Sequence, residues 1–112
     1  MASAITDTMI TTLKPEQARE LIARGDLDVV DVRNARDWSN GHIPEARSVP
    51  LEALQGDPRG ALPRDGVIFV CAKGVRSRAA AKLAEAIGLH RLFDVDGGTL
   101  AWAGAGLPLV RG

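Results

Sequence analysis

The sequence contains one cysteine, Cys71, and two histidines, His42 and His90. One cysteine excludes an internal disulfide framework, and it also excludes a zinc site with four cysteine ligands. Two imidazoles are too few for a histidine-based metal cluster. We therefore expect no metal site in this chain.

The sequence also has no excess of positive or negative charge, because its 14 Lys and Arg residues balance its 14 Asp and Glu residues. A chain with no net charge has no global attraction to nucleic acid or to a membrane surface, so we expect neither as a partner. No apolar run approaches the ~20 residues that span a bilayer, and residues 1–10 lack the features of a secretory signal. These absences favour a reducing, cytoplasmic setting, in which a free thiol stays reduced.

The composition, 46% hydrophobic and 25% charged over 112 residues, is typical of a soluble globular domain with a buried core. We predict a flexible tail at residues 1–8 and a single domain at 9–112. The predicted strands are 9–13, 27–32, 47–49, 67–70 and 92–95. The predicted helices are 15–24, 35–40, 51–55, 77–87 and 99–103, with a surface loop at 56–66. Such alternation indicates an α/β fold with a mainly parallel sheet covered by helices on both faces.

The most informative segment is the apolar run that ends in Cys71 and leads through a short loop into a helix. Ligands of open parallel sheets bind outside the carboxyl ends of the strands, where Cys71 stands. Gly74 permits a nest of backbone N–H groups, and the following helix start adds more. Four cations and no acid lie at residues 71–82, namely Lys73, Arg76, Arg78 and Lys82. A thiol there should ionise below ~8.5 and act as a nucleophile.

Each of these features also has a plainer explanation. A lone cysteine that closes an apolar strand is usually a small buried hydrophobe. Lys73 and Arg76 are of a kind usually found as solvated charges, and Arg78 is interpreted as a surface residue. The glycine, the cations and the helix start that follow Cys71 together favour the nucleophile.

Three segments in order resemble the single-domain rhodanese family of sulfurtransferases. They are Asp31-Val32-Arg33 with Asp37-Trp38, Gly41-His42-Ile43-Pro44 and Ala46; Cys71-Ala72-Lys73-Gly74-Val75-Arg76-Ser77; and Asp96-Gly97-Gly98 with Ala101-Trp102 and Gly106-Leu107-Pro108. The resemblance covers nearly the whole chain, although Glu45 stands where the family usually has glycine. It implies a five-stranded, mostly parallel sheet between helices, and chemistry that needs no metal or organic cofactor.

The resemblance also implies an activity. Cys71 would attack the outer sulfur of thiosulfate, release sulfite and hold a persulfide, whose sulfur passes to cyanide or to a thiol, including a protein thiol. The ammonium of Lys73 matches a lysine of thiosulfate-using members and would neutralise the departing sulfite. The anion-binding loop, whose N–H groups would stabilise the thiolate and the persulfide, comprises Ala72, Lys73, Gly74, Val75 and Arg76.

Four residues are candidates for supporting roles: Asp31, Arg33, Ser77 and Trp102. Arg33 either holds the donor or pairs with a carboxylate, and we favour the pairing. Asp31 is expected to fasten backbone or loop groups, and Trp102 either packs beside the active-site loop or fills the core. Trp38 is interpreted as a core residue and His42 as a residue that stabilises the fold.

Two rival functions stay open. A sulfur-relay or regulatory module would bind another protein, and the charges of residues 56–66 suit either such docking or plain solvation. A phosphatase or arsenate-type enzyme is the other. The related phosphatases have one residue more between cysteine and arginine than the four that separate Cys71 from Arg76. The shorter loop therefore favours sulfur transfer.

Overall fold

The computed structural model of the protein describes residues 10–112, which form alternating strands and helices. In chain order the elements are β1 (Ile10–Leu13), α1 (Pro15–Ala23), β2 (Asp28–Asp31), α2 (Ala35–Asn40), β3 (Arg47–Ser48), α3 (Leu51–Gly56), α4 (Pro58–Ala61), β4 (Val67–Val70), α5 (Arg76–Ala86), β5 (Leu92–Val95) and α6 (Gly98–Gly104). The tail expected at residues 1–8, and Met9 of the first predicted strand, lie outside the described residues. Within residues 10–112 no helix combines the length and the apolar character needed to cross a membrane.

The five strands of the described chain form one sheet in the order β1-β5-β4-β2-β3, and every neighbouring pair is parallel. Strand β4 lies at the centre, which explains why Val67–Val70 is apolar at every position and buried throughout. The predicted α/β fold with a five-stranded sheet is confirmed, and the sheet is parallel throughout rather than mostly so. Because Cys71 follows β4 directly, it stands at the carboxyl edge of the central strand.

Alternate residues of β4 face two hydrophobic clusters, one on each side of the sheet. On one side Phe69 packs with three alanines of α5, which are Ala80, Ala81 and Ala84. On the other side Ile68 and Val70 pack with Trp102 of α6 and with residues of α1. Helices therefore cover both faces, as predicted, and Cys71 belongs to the cluster under α5.

The prediction of a surface loop over residues 56–66 was wrong in part, because α4 occupies Pro58–Ala61. Its first turn is capped by Asp57, whose carboxylate accepts the Gly60 N–H at 3.1 Å. The proline fits the first helical position, where no backbone N–H is needed. Leu62, which follows α4, is buried in the core. The other predicted elements match the observed ones to within one residue at each end.

The interpretation of Trp38 as a core residue was also wrong. Its side chain is only partly buried, and its ring stacks on that of His42 with 3.5 Å between the ring centroids. His42 itself is buried, and its Nδ1 lies 2.9 Å from the Trp38 carbonyl oxygen. Its backbone exchanges hydrogen bonds with that of Val110, which ties the end of the described chain to the end of α2. His42 therefore stabilises the fold.

Candidate active site

Cys71 combines a buried position with polar contacts. The residue is only 1% exposed, and it packs within the cluster under α5. Its Sγ nevertheless accepts the Gly74 N–H at 3.0 Å and lies 3.5 Å from the Ser77 hydroxyl oxygen. The thiol is thus neither a purely apolar filler nor a solvated group.

These contacts determine the ionisation of the thiol. Burial by itself would raise the pKa of Cys71, because it disfavours the charged form. Hydrogen bonds from the Ser77 hydroxyl and from the N–H groups of Ser77, Gly74 and Lys73 outweigh burial, so the pKa lies below its ordinary value. A lowered pKa gives more thiolate near neutral pH, which is what a nucleophilic cysteine requires.

The loop between β4 and α5 depends on a glycine at position 74. Gly74 has φ +96°, a conformation that side chains with a Cβ rarely adopt. A Cβ on Gly74 would also lie 3.3 Å from the Gly97 nitrogen and 3.4 Å from the Val95 carbonyl oxygen. This conformation directs the Gly74 N–H toward the sulfur, so a structural requirement and a chemical one coincide at one residue.

The start of α6 holds the other side of the same loop. The N–H of Thr99 donates to the Cys71 carbonyl oxygen at 2.8 Å, and that of Leu100 donates to Ala72 at 3.1 Å. Gly98, with φ +60°, lies so close that a Cβ there would overlap the Cys71 carbonyl oxygen. Glycine at position 98 therefore lets the backbone at the start of α6 lie in direct contact with the backbone of Cys71 and Ala72.

The loop cations face solvent. Lys73 and Arg76 are exposed, and neither forms an ion pair with any of the residues 10–112. Arg78 differs, because its Nη1 donates to the Thr12 hydroxyl at 2.7 Å. Beside the loop lies an open cavity of about 490 Å³, lined by Gly74, Val75, Arg78, Ala79 and Lys82. Lys73 and Arg76 have no described acid to neutralise them, so they are available to attract an anion to this loop.

Asp31 and Arg33 form a buried pair of their own. The Arg33 guanidinium donates to both Asp31 oxygens and, at 2.7 Å, to the Gly41 carbonyl oxygen. Asp31 also accepts the Arg33 N–H at 3.0 Å. No hydrogen bond joins either side chain to residues 71–77 in the described chain. The structure thus places the pair where it fixes the turn between β2 and α2.

The remaining two candidates lie on opposite sides of the sheet. Ser77, in the first turn of α5, is buried and contacts the thiol directly. Trp102 is buried in the cluster that contains Val70, and its Nε1 donates to the Pro108 carbonyl oxygen at 2.9 Å. Trp102 therefore fills the core under α6.

Sequence reasoning missed Asp94 and Thr12. Asp94 lies in β5 and is 1% exposed, and it accepts a hydrogen bond from the Thr12 hydroxyl at 2.7 Å. Its other oxygen lies 3.5 Å from the Ser77 hydroxyl. The available signal was an acid within an otherwise apolar strand, since a buried carboxylate needs partners. Within residues 10–112 no three potential metal ligands are grouped together.

Comparison with known proteins assigns this arrangement to a family. A model of the rhodanese-like domain matches residues 14–105. This range includes the loop that begins at Cys71, the flanking elements β4 and α5, and α6. The chain belongs to the rhodanese-like family. The predicted membership of the rhodanese family is thereby confirmed.

Relatives of this rhodanese-like protein include named sulfurtransferases. It is 34% identical over 90 residues to the thiosulfate sulfurtransferase GlpE of Pseudomonas putida, covering 80% of this chain and 82% of that one. It is 30% identical over 104 residues to a sulfurtransferase of Allochromatium vinosum, covering 91% and 96%. An uncharacterised protein of Synechocystis is 31% identical over 99% of this chain, which spans 61% of that protein's length.

Solved structures share the fold. A rhodanese-related protein of Thermoplasma volcanium has a TM-score of 0.79 at 30% identity, over 89% of this chain and 97% of that one. A protein of unknown function from Rhodopseudomonas palustris, described as a possible tyrosine phosphatase, has a TM-score of 0.81 at 31% identity, over 98% and 99%. The fold of this chain is therefore shared with a protein named as rhodanese-related and with one described as a possible tyrosine phosphatase.

The contact between α6 and the loop yields a test of the fold. Gly98→Ala should lower the free energy of unfolding by about 2 kcal/mol or more, because the added methyl overlaps the Cys71 carbonyl oxygen and the backbone is left-handed. Gly104→Ala in the same helix is the matched control, since its added methyl would meet no atom within 4 Å apart from its chain neighbours and the backbone of its own helix. We expect urea unfolding of Gly104→Ala to stay within about 0.5 kcal/mol of the native protein. Equal losses in the two variants would contradict the close contact at Gly98.

Proposed function

We propose that this protein is a thiosulfate sulfurtransferase that carries sulfur as a persulfide on Cys71. The observation that carries the proposal is the hydrogen-bonded thiol, whose pKa is lowered, in a loop that also carries exposed Lys73 and Arg76. Membership of the rhodanese-like family and the names of two relatives support it. The proposal includes a reducing, cytoplasmic setting, because Cys71 must remain a free thiol between turnovers.

The first half-reaction charges the enzyme with sulfur. The Cys71 thiolate attacks the outer sulfur of thiosulfate, so a bond forms between Sγ and that sulfur. The bond between the two sulfurs of thiosulfate breaks, and its electron pair leaves with sulfite. Lys73 and Arg76 suit this step, since exposed cations without described partners can neutralise a dianionic donor and its anionic leaving group.

The second half-reaction empties the enzyme. Cyanide or a thiol attacks the outer sulfur of the persulfide, and the Sγ leaves as a thiolate with the electron pair of the broken bond. The Gly74 N–H and the Ser77 hydroxyl can stabilise this leaving group, because they already contact the sulfur. Dividing the transfer into two displacements is covalent catalysis with ping-pong kinetics.

Loop length supports sulfur transfer over phosphate hydrolysis. Four residues separate Cys71 from Arg76, one fewer than in the related phosphatases of this fold. In addition, the Gly74 N–H already points at the sulfur at 3.0 Å, which suits a single sulfur atom held close to the loop. Phosphatase activity, which the description of the Rhodopseudomonas palustris protein names as possible, is therefore the less favoured alternative.

A sulfur relay to a protein acceptor is a second candidate, favoured by exposed apolar side chains around the loop. Val75 is 76% exposed and Leu100 is 61% exposed. Both adjoin the active site, since Val75 belongs to the loop and Leu100 hydrogen-bonds to Ala72. An acceptor that covers these side chains would gain apolar contact beside the persulfide.

The direct test is sulfur transfer by the native protein and by Cys71→Ser. Thiosulfate alone should add the mass of one sulfur to the native protein, and cyanide should remove it as thiocyanate. Cys71→Ser should show neither, because an alcohol is not ionised at neutral pH. Sulfur added without turnover would support the relay, while no added sulfur on a folded, reduced native protein would contradict the proposal. Hydrolysis of an aryl phosphate would favour the phosphatase.

Replacing Lys73 should affect the two half-reactions differently. Lys73→Ala should slow persulfide formation from thiosulfate by about tenfold, because a charged contact to the donor is lost. It should alter sulfur release to cyanide much less, since no sulfite leaves in that step. Arg59→Ala removes an exposed cation of α4 instead; it is the control and should leave both steps near the native rates. Equal losses in both half-reactions of Lys73→Ala would contradict donor recognition by this residue.

A further inference from the structure

Asp94 is a buried acid that is linked to the Arg78 guanidinium through the Thr12 hydroxyl. Its Oδ1 accepts the Thr12 hydroxyl at 2.7 Å, and Thr12 in turn accepts a hydrogen bond from the Arg78 guanidinium at 2.7 Å. The parallel pairing of β1 with β5 sets Thr12 opposite Asp94, and the pairing of β4 with β5 sets Asp94 beside Phe69. The carboxylate therefore lies under α5, on the same face of the sheet as Cys71.

The second carboxylate oxygen connects Asp94 to the thiol through Ser77. The Ser77 Oγ lies 3.5 Å from Asp94 Oδ2 and 3.5 Å from Cys71 Sγ, so it is equally far from both groups. A serine hydroxyl has one hydrogen and can donate it to one partner at a time. The carboxylate and the sulfur therefore compete for a single donor.

The outcome of this competition depends on the state of the thiol. In the thiol form, the Cys71 S–H can donate to the Ser77 oxygen while the Ser77 O–H donates to Asp94. Once the thiol proton has left to water, the thiolate accepts the Ser77 O–H and Asp94 loses that donor. Asp94 stays buried, and a second negative charge now lies nearby, so both changes disfavour the thiolate.

We infer that Asp94 is a positioning residue that acts through the Ser77 hydroxyl and limits the acidity of Cys71. The N–H groups of the loop stabilise the thiolate, whereas Asp94 disfavours the thiolate relative to the neutral thiol. This inference rests on the proposed function, because only a nucleophilic thiol gains from such tuning. The intrinsic nucleophilicity of a thiolate falls as its pKa falls, and the best attacking thiol has a pKa near the ambient pH.

The other charged groups around the sulfur do not replace Asp94. The loop contributes the exposed cations Lys73 and Arg76, and α5 contributes Arg78, which is held by Thr12. Asp96 follows β5 but is exposed. The helix α6 faces the loop with backbone N–H groups and with Thr99, which carries no charge. Among the described acids, Asp94 is the one that a chain of polar contacts joins to Sγ.

The test is the pH dependence of Cys71 alkylation by iodoacetamide, which reports thiolate without requiring sulfur transfer. Asp94→Asn keeps the shape of the side chain and removes its charge, and its amide can donate to the Ser77 oxygen. The midpoint of the alkylation curve should therefore move to lower pH by about one unit. A midpoint that is unchanged or moved to higher pH would overturn the inference, whatever the outcome of the sulfurtransferase assay.

A double-mutant cycle tests the route through Ser77. In a Ser77→Ala background, Asp94→Asn should shift the midpoint by a smaller amount, because only the direct repulsion between charges is left. Equal shifts in the two backgrounds would show that Asp94 acts by its charge alone and would contradict a role through the hydroxyl. Circular dichroism checks that each variant folds. If Asp94→Asn does not fold, Asp94→Ser removes the same charge with a smaller side chain and carries the same two expectations.

Discussion

The hydrogen bond from the Gly74 N–H to the Cys71 sulfur joins the fold to the chemistry of this protein. It exists because β4 ends at Cys71, because the loop turns back within three residues, and because glycine accepts the left-handed backbone at position 74. The start of α6 secures the same loop from the other side through two backbone hydrogen bonds. The position of the sulfur is therefore set mainly by backbone geometry.

The thiol is held in a balance of opposing effects. Burial under α5 favours the neutral thiol, and the donors from the loop and from Ser77 favour the thiolate. We place Asp94 on the side of the neutral form, competing for the Ser77 hydroxyl. A site built in this way can change its acidity by rotating one hydroxyl, without moving the backbone. That property would suit the alternation between thiolate and persulfide that we propose for Cys71.

Much of the fold could be predicted from the sequence because the relevant signals are local. The apolar run at Val67–Val70 and the glycine that ends α5 at position 88 need only neighbouring residues to be understood. The short helix α4 was missed because glycine, proline and charged residues around it suggested a loop, although Asp57 followed by Pro58 is a helix-start signal. The sequence pattern also does not reveal that Trp38 is only partly buried and stacks on His42.

Only the part of the candidate site that is formed by residues close together along the chain could be predicted from the sequence. Cys71, Gly74 and the loop cations stand together in the sequence. The N–H groups that lower the thiol pKa are those of Lys73, Gly74 and Ser77, a selection that depends on backbone angles. Asp94 and Thr12 escaped notice because 82 positions separate them, and the pairing of β1 with β5 is what brings them together. Arg33 differs, because its partners Asp31 and Gly41 lie only two and eight positions away along the chain.

The central claim is that hydrogen bonds outweigh burial at Cys71, and the pH dependence of alkylation of the native protein tests it most directly. Because the pKa is lowered, the alkylation rate should rise with pH to a plateau, and the midpoint of the rise should lie below the pKa of a free thiol. Ser77→Ala should move that midpoint upward, since the thiolate loses a donor. A native midpoint at or above that of a free thiol would show that burial prevails and would contradict the account.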